Sequence, residues 1–316
     1  MQLTMENTDL KLEYLCLDHA HGLCDLYRIV FRKEVTEDYF KIKYGLFDSK
    51  RIQCATVAII KGKIIGFYGA IFTEFCDFNK EKTLSLVNTC DYILLEEFRG
   101  KGVLDHLYLH SLAEMKRQKI DFVYGFHSVQ THKFSQKFEW IDGRHFKRFH
   151  LSLFPKIGAQ VLNKLGCQKV LRNRLEKALN PFLSNRNFNS LNLAGENYTQ
   201  RYTKDFFKMK EFCPHYLIEI DDVVLWLKYD YVITVGFVEL YDKASAKEVL
   251  MKLKKILKRV GIFELVFHVQ DGTKEFNWLS KSFKAHSSFK ISYLRLSDCD
   301  ALFDDVKLNL MDMDIF

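Results

Sequence analysis

The sequence predicts an α/β protein in which a mixed central sheet is flanked by helices and is followed by a second, degenerate domain of similar construction. Three observations predict this class. Segments rich in β-branched residues alternate with segments of helical period, which is typical of sheets covered by helices. The same order of elements recurs in the C-terminal part of the chain. The 316 residues are 48% hydrophobic, which is enough for buried cores, and they amount to about two domain lengths.

The N-terminal half contains strands that are separated by helices. Two β-branched arms around the turn Lys61-Gly62-Lys63 indicate a hairpin. Apolar residues spaced three and four apart indicate a helix after the next strand, and a helical crossover predicts parallel pairing of the strands it joins. The expected elements are a strand at 11–16, helices at 18–31 and 35–44, hairpin arms at 54–60 and 64–72, a strand at 84–95, a helix at 103–118, a strand at 121–126, a short helix at 131–138 and a strand at 145–153.

The C-terminal part repeats this order after a long connection. Residues 155–183 have the pattern of a basic amphipathic helical region, and residues 184–200 hold five asparagines, which is typical of an exposed connection. An offset of 141 places Val103 on Ala244 and relates the later elements to the earlier ones. The later elements are strands at 231–240, 262–269 and 288–296 and helices at 244–259 and 273–283. We therefore predict a first domain over 1–154, a helical linker over 155–200 and a degenerate second domain over 201–316.

Composition and charge exclude several classes of function. The longest apolar runs have about nine residues, too few to span a bilayer, so we expect no membrane insertion. A formal charge of +7 fits an anionic small ligand but falls short of the basic footprint of a nucleic-acid-binding protein. The eight cysteines include no CxxC pair, which favours reduced thiols in a cytoplasmic protein and no metal site. Homo-oligomer formation is left open.

The most informative segment is the turn Arg99-Gly100-Lys101-Gly102 between a strand and a helix. A helix N-terminus carries unpaired N–H groups and the positive end of the helix dipole, and preceding glycines let an anion approach the backbone. The turn therefore predicts a pyrophosphate site, with an ordinary strand–helix turn as the alternative. A Rossmann fingerprint is excluded because Asp105 stands where its third glycine would be, and the GK[ST] of a Walker loop is absent. The second copy has no glycine at the corresponding residues 240–243.

The order of elements around this turn resembles the GCN5-related N-acetyltransferase (GNAT) family. The acyl-CoA signature of that family, Q/R-x-x-G-x-G/A, aligns with residues 99–104, where Leu104 replaces the last small residue. Residues 128–140 resemble a second stretch of the family, with a lysine and two aromatic residues that match in character. The resemblance covers residues 10–153, and the degenerate second copy resembles the tandem members of the superfamily.

The resemblance implies that acetyl-CoA is the co-substrate and that no metal is used. It implies that the pantetheine pairs with the backbone of the strand before the turn, at Ile93, Leu94 and Leu95, where an N–H group stabilises the oxyanion of the thioester. The pyrophosphate then lies against the turn and the first residues of the helix, which are Arg99, Gly100, Lys101, Gly102, Val103 and Leu104.

The reaction that the resemblance implies is direct attack of an amine on the thioester, which needs a base and an acid. Asp91 is the candidate base, because strand alternation places it on the face of Ile93. His127 could serve as base or acid near neutral pH. Ser135 stands in the slot of the family's tyrosine acid and is a poor acid, so Tyr124 is the alternative proton donor. An ordinary structural role is the alternative for each.

The sequence thus predicts a cytoplasmic N-acetyltransferase that acts on the primary amine of a small acceptor, with an amino sugar as one candidate. Two alternatives stay open. A non-catalytic CoA-binding module would bind CoA without turnover. A FemABX-like aminoacyltransferase would need a strongly basic groove for tRNA, which a charge of +7 does not favour.

Overall fold

The structure is a computed structural model that describes residues 9–77, 81–153, 168–184, 198–200, 202, 206–207, 210, 214–230, 232–240, 246–262 and 264–313. The chain divides into two compact units. Unit 1 comprises Met1–Ile141 and Ser292–Asp305, and unit 2 comprises Asp142–Ile291 and Val306–Phe316. Each unit is therefore assembled from two separate stretches of chain.

Helices lie between runs of one to four strands in the described chain. The helices are α1 (Ala20–Phe31), α2 (Glu37–Lys43), α3 (Val103–Arg117), α4 (Val129–Lys137), α5 (Gln168–Leu179), α6 (Ala246–Val260) and α7 (Lys274–Ser280). The strands are β1 (Lys11–Tyr14), β2 (Thr56–Ile60), β3 (Lys63–Asp77), β4 (Lys82–Leu94), β5 (Phe122–His127), β6 (Ile141–Asp142), β7 (Phe146–Ser152), β8 (Tyr198–Gln200), β9 (His215–Ile220), β10 (Val223–Asp230), β11 (Val232–Leu240), β12 (Glu264–Gln270), β13 (His286–Ser287), β14 (Lys290–Arg295) and β15 (Val306–Lys307).

The sheet of unit 1 is mixed. Its strands follow the order β1-β2-β3-β4-β5-β14-β6. β3 pairs antiparallel with β2 and with β4, whereas β4 pairs parallel with β5. The parallel pair is possible because α3 forms a crossover connection from the end of β4 to the start of β5. This arrangement confirms the mixed sheet flanked by helices that the sequence predicts.

Helices cover both faces of this sheet, and we name each face after one of them. On the α2 face, the ring of Tyr44, the residue after α2, contacts Phe67 edge-on, with centroids 5.3 Å apart. On the α3 face, the ring of Tyr68 contacts Tyr108 of α3 at 5.7 Å. Phe67 and Tyr68 are both fully buried, so successive residues of β3 supply the apolar surface that holds the two helices.

The sheet of unit 2 repeats this construction. Its strands follow the order β13-β7-β12-β11-β10-β9. β10 pairs antiparallel with β9 and β11, and β11 pairs parallel with β12 after the crossover helix α6. Apolar residues of α6 at helical spacing, such as Val249, Leu253 and Leu257, are buried in the core of the unit. The second mixed sheet agrees with the second, degenerate domain that the sequence predicts.

One strand from each half of the chain belongs to the other unit. The strand predicted at 145–153 corresponds to β7, which pairs antiparallel with β12 over its whole length. The strand predicted at 288–296 corresponds to β14, which lies next to β5 in the sheet of unit 1. The observed division therefore differs from the predicted boundary at 154. Backbone hydrogen bonds use main-chain groups that nearly all residue types share. Two strands at equivalent places in a repeat can therefore each complete either sheet.

The predicted linker is described only in part. Residues 168–179 form α5, as the helical pattern predicts, whereas residues 154–167 and 185–197 lie outside the described residues. No helix within the described ranges has both the length and the apolar character that crossing a bilayer requires.

Candidate active site

β4 and β5 separate partway along their length and form a fork. Their parallel ladder runs from Leu86 opposite Phe122 to Thr89 opposite Gly125. β4 continues to Leu94, and its only sheet neighbours among the described residues are β3 and β5. Beyond Thr89, the edge of β4 that faces β5 therefore has no strand partner in the described chain. Backbone groups on such an edge can pair with an extended ligand.

A β-bulge at Asp91 accompanies the fork. Gly69 of β3 is opposite Cys90 and Tyr68 is opposite Tyr92, so Asp91 is an extra residue in β4. Its φ of 47° lies in the left-handed region, where Asp is among the better tolerated residues. A bulge bends its strand and increases the local twist. The bend therefore lies in the part of β4 that has left β5.

The backbone of Leu94 faces the fork. The Leu95 N–H donates to the carbonyl of Ile65 in β3 at 2.9 Å. Because the peptide bond is trans, the Leu94 carbonyl of the same peptide group points the opposite way, toward the β5 side. Arg99 Nε donates to this carbonyl at 3.3 Å. The Leu95 N–H is among the groups predicted to bind the ligand, but it bonds to β3 instead. Since main-chain groups alternate in direction along a strand, the N–H and carbonyl of Ile93 also point toward β3.

Gly100 and Gly102 form an open turn before α3. Their φ angles are 73° and 79°, which favour glycine, and a Cβ on either would meet no atom within 4 Å. The Gly102 carbonyl accepts the N–H of His106 at 3.1 Å and so starts the helix. Val103 is buried and Leu104 packs against the same core, so these residues offer a ligand their backbone N–H groups.

Basic side chains surround this turn. Lys101 Nζ lies 5.7 Å from the ring centroid of Phe98, and Arg99 lies along the fork. Asp105, in the first turn of α3, would repel an anion, but Lys137 of α4 forms an ion pair with it at 2.5 Å. The positive end of the helix dipole is therefore accompanied by the charges of Arg99 and Lys101, while the exposed Glu96 and Glu97 precede the turn.

The residues present fit the diphosphate and pantetheine of an acyl-CoA. The open glycines and the first N–H groups of α3 suit a diphosphate. The edge of β4 beyond its ladder with β5 suits the amide groups of a pantetheine. Within the part of the chain that the structure describes, no cluster of His, Cys, Asp and Glu side chains is suited to a metal ion.

Asp91, the candidate base, is held by two residues at the end of α2. Its Oδ2 accepts hydrogen bonds from Lys43 Nζ at 2.6 Å and from the Tyr44 hydroxyl at 2.8 Å. The side chain of Lys43 is 1% exposed and that of Asp91 is 11% exposed. The candidate base is therefore one half of an ion pair that is buried at Lys43 and partly exposed at Asp91.

His127 folds back over Gly125 at the mouth of the fork. A Cβ on Gly125 would lie 2.7 Å from His127 Cε1 and 2.8 Å from Thr89 Oγ1, so the imidazole and this hydroxyl lie close together. Thr89 Oγ1 accepts the hydroxyl of Tyr92 at 2.8 Å, and the ring of Trp140 lies 5.6 Å from the imidazole. The structure thus gathers a histidine and two hydroxyl groups where the ladder ends.

Thr89 and Tyr92 are the residues of this group that sequence reasoning missed. Tyr92 stacks on Tyr68 with ring centroids 4.9 Å apart, and burial raises the pKa of Tyr92. In a regular strand, residues three apart point to opposite faces, so Thr89 and Tyr92 would not meet. The bulge at Asp91 brings them together, and no local sequence signal marks that bulge.

Tyr124 and Ser135 do not lie beside this group. Tyr124 is fully buried and its ring packs against Phe75 and Phe303, at 6.2 and 6.1 Å. Strand alternation puts it on the face opposite His127. Ser135 Oγ donates to the His132 carbonyl at 2.8 Å and contacts Ser292 Oγ at 3.1 Å. Ser135 is thereby a buried packing residue of α4, which corrects its assignment as the proton donor.

We predict that Gly125→Ala displaces His127. The added methyl group overlaps the imidazole and the Thr89 hydroxyl, so we expect a loss of about 1–3 kcal/mol in the free energy of unfolding. We also expect a change in the chemical shifts of the His127 ring protons, because the ring moves relative to Trp140. Gly62→Ala is the control for the ring shifts, because alanine is also unfavourable there, at a φ of 76°, but its Cβ meets no side chain. Unchanged His127 shifts in Gly125→Ala would contradict this geometry.

Unit 2 contains a similar fork between β11 and β12. The parallel ladder ends with Val235 opposite Phe267, and Gly236 is the extra residue of a bulge against β10. Beyond the ladder, Val269 of β12 forms an antiparallel bridge with Asn309. Since β7 pairs along the other edge of β12, Asn309 lies on the fork side. Of the glycine-free turn at 240–243, residues 241–243 lie outside the described residues.

The segment around Asn309 is anchored by buried hydrogen bonds. The Leu308 N–H donates to Gln270 Oε1 at 3.1 Å, and the Asn309 N–H donates to Asp312 Oδ2 at 2.6 Å. The hydroxyl of Tyr202 donates to Asp312 Oδ1 at 3.0 Å. Asp312 is 4% exposed, and burial raises its pKa to about 7. Residues 308–312 thus fill the fork of unit 2.

Comparison with known proteins supports the fold alone. No protein-family model matches the sequence, and no curated protein matches it. A GCN5-related N-acetyltransferase from Kribbella flavida aligns with 92% of this chain and 72% of its own, with a TM-score of 0.58 and 11% identity. One from Anabaena variabilis aligns with 92% and 74%, with a TM-score of 0.55 and 11% identity.

A glucosamine N-acetyltransferase region of a fungal multi-domain β-N-acetylglucosaminidase is also similar. The alignment covers 92% of this chain and 38% of that solved chain, with a TM-score of 0.55 and 11% identity. These alignments extend over most of the chain, in agreement with two GNAT-like units. The protein therefore has the GNAT fold, as its sequence predicts.

Proposed function

We propose that the protein is an acyl-CoA-dependent N-acyltransferase that moves an acetyl group from acetyl-CoA to the primary amine of a small acceptor. The observation that carries this proposal is the fork of β4 and β5 beside the open glycine turn of α3. Main-chain groups at these two places are the donors and acceptors that a thioester with a diphosphate tail requires. The GNAT fold supports the acyltransferase class.

The binding roles fall mainly on the backbone. The first N–H groups of α3, at Val103 and Leu104, would hold the diphosphate, with positive charge from Arg99 and Lys101. The backbone of Leu94 at the fork would pair with the pantetheine. Because these roles use main-chain groups, the apolar side chains of this segment are compatible with them.

The transfer requires a proton acceptor and a proton donor. The acceptor nitrogen forms a bond to the thioester carbonyl carbon while the carbon–sulfur bond breaks, the nitrogen loses a proton, and the departing thiolate gains one. We assign this proton transfer to His127, because its imidazole lies beside the Thr89 hydroxyl at the fork and an imidazole can accept or donate a proton.

An amino sugar is the acceptor that we propose. The support is the fold that the chain shares with the glucosamine N-acetyltransferase region, at 11% identity, which is support by analogy. A cytoplasmic location and self-association stay predictions.

Thermal unfolding with acetyl-CoA and with CoA tests the binding step. At a ligand concentration about 100 times the dissociation constant, we expect about 2.7 kcal/mol of added stability. A thiol-release assay then tests the transfer, with glucosamine as the amine and N-acetylglucosamine as the control that lacks one. Absence of stabilisation by acetyl-CoA contradicts the proposal.

A CoA-binding module without catalysis is the second candidate. One observation favours it: Ser135, which stands in the slot of the family's tyrosine acid, is engaged with His132 and Ser292. This candidate predicts that acetyl-CoA and CoA both stabilise the protein and that no amine in the panel releases thiol. Amine-dependent thiol release excludes it.

A further inference from the structure

The Tyr44 hydroxyl touches two successive residues of β4. It lies 3.4 Å from Cys90 Sγ and donates to Asp91 Oδ2 at 2.8 Å. In a regular strand, two successive side chains point to opposite faces of the sheet. Here both point to the α2 face, because the bulge interrupts the alternation. The contacts made by Tyr44 therefore depend on the bulge.

The ion pair of Lys43 and Asp91 is surrounded by side chains at the end of α2 and by Gly69 of β3, which lies opposite the bulge. Lys43 Nζ donates to the Tyr39 hydroxyl at 3.4 Å as well as to Asp91. It also lies 5.5 Å from the ring centroid of Tyr39. Gly69, at the bulge, has no room for a side chain, because a Cβ there would overlap the Tyr44 hydroxyl and approach the Cys90 carbonyl oxygen to 2.6 Å. The absence of a side chain at Gly69 therefore allows the Tyr44 hydroxyl to approach β4 closely.

We propose that Asp91 is a positioning residue that, with Lys43 and Tyr44, holds the bulge of β4 and so keeps the fork open for acyl-CoA. This inference rests on the proposed function of the fork. A left-handed φ at a residue other than glycine is unfavourable and persists where the surroundings hold it. The hydrogen bonds from Lys43 and Tyr44 supply that hold, and they direct the carboxylate toward α2.

Two single variants and their combination test the proposal. Asp91→Asn and Lys43→Met each leave one buried charge without its partner, whereas Lys43→Met/Asp91→Asn removes both charges. Asn tolerates the left-handed region as well as Asp does, so the backbone preference is kept constant. The readouts are the hydrogen exchange of the Leu95 amide, which bonds to β3 just beyond the bulge, and the dissociation constant for acetyl-CoA.

We expect faster exchange of the Leu95 amide and about 10-fold weaker acetyl-CoA binding in each single variant, with a return to within about threefold of wild type in the double variant. Glu275→Gln is the matched control, because Glu275 is the buried member of an ion pair with Lys307 in unit 2, at 2.6 Å. We expect it to change neither readout.

The competing assignment is that Asp91 is the catalytic base. It predicts that Asp91→Asn keeps its acetyl-CoA affinity, loses thiol release and one limb of the pH–rate profile, and is not restored by Lys43→Met. That result overturns the proposal, and so does unchanged Leu95 exchange in the single variants. If the wild-type protein does not bind acetyl-CoA, the proposed function fails, whereas the Leu95 exchange reports on the bulge without any ligand.

Discussion

Gly102→Val is expected to lower the affinity for acetyl-CoA by about 100-fold or more, because charge-assisted hydrogen bonds from backbone N–H groups to a diphosphate contribute roughly 1.5–3 kcal/mol each. At Gly102, φ is 79° and no atom lies within 4 Å of the Cβ position. A valine there disfavours the left-handed backbone and places two methyl groups where the anion would approach. The measurement is a titration with acetyl-CoA followed by calorimetry.

The control for this prediction is Gly272→Val. Gly272 has a φ of 78° and an equally open Cβ position, but it lies in unit 2 between β12 and α7. Both variants should therefore lose similar stability from backbone strain, and only Gly102→Val should lose affinity. Equal affinity of the two variants for acetyl-CoA would show that the turn before α3 is not the diphosphate site.

Asp312→Asn is expected to remove a pH dependence from the C-terminal segment of unit 2. Burial, the largest cause, raises the pKa of Asp312 from 3.8 to about 7, against hydrogen bonds from Asn309 and Tyr202 and the nearby charge of Lys210. Between these two values the folded carboxyl keeps a proton that the unfolded carboxyl has lost. Stability therefore falls as the pH rises from 3.8 to 7, by about 4 kcal/mol at most, and is constant above that.

Hydrogen exchange of the Leu308 amide measures this effect locally, because that N–H donates to Gln270 within the anchored segment. The free energy of opening at Leu308, corrected for the intrinsic exchange rate, should fall with rising pH in the wild type and stay nearly flat in Asp312→Asn. Asp221→Asn, at an exposed carboxylate of the same unit, should behave like the wild type. A flat wild-type profile would mean that Asp312 is already ionised at low pH.

The elements that depend on neighbouring residues were predictable. The hairpin of β2 and β3 follows from β-branched arms around Lys61-Gly62-Lys63, although β3 continues to Asp77, beyond the predicted end of its arm at 72. The left-handed conformation of Gly100 and Gly102 at the start of α3 also follows from local preference, since glycine populates that region at little cost. Both features require no knowledge of distant parts of the chain.

The candidate site was predictable only where its roles fall on main chain. Leu94 and the first residues of α3 are predicted as binding residues because a strand, a turn and a helix N-terminus are recognisable in sequence order. Asp91 is predicted as a candidate base because it is a carboxylate on this strand. Its partner Lys43 could not be predicted, because it lies at the end of α2, which precedes β2, β3 and β4 in the chain. Thr89 and Tyr92 were missed because their meeting depends on a bulge.

By itself, the sequence determined the alternation of strands and helices, the repeat of that order and the open glycine turn, because these depend on side-chain periodicity and on the conformational freedom of single residues. Only the tertiary structure decided that β7 and β14 each complete the sheet of the other unit, that β4 bulges at Asp91, and that residues 308–312 occupy the fork of unit 2. The physical reason is that backbone pairing and buried ion pairs depend on which distant segments become neighbours, and backbone hydrogen bonds are the same for every sequence.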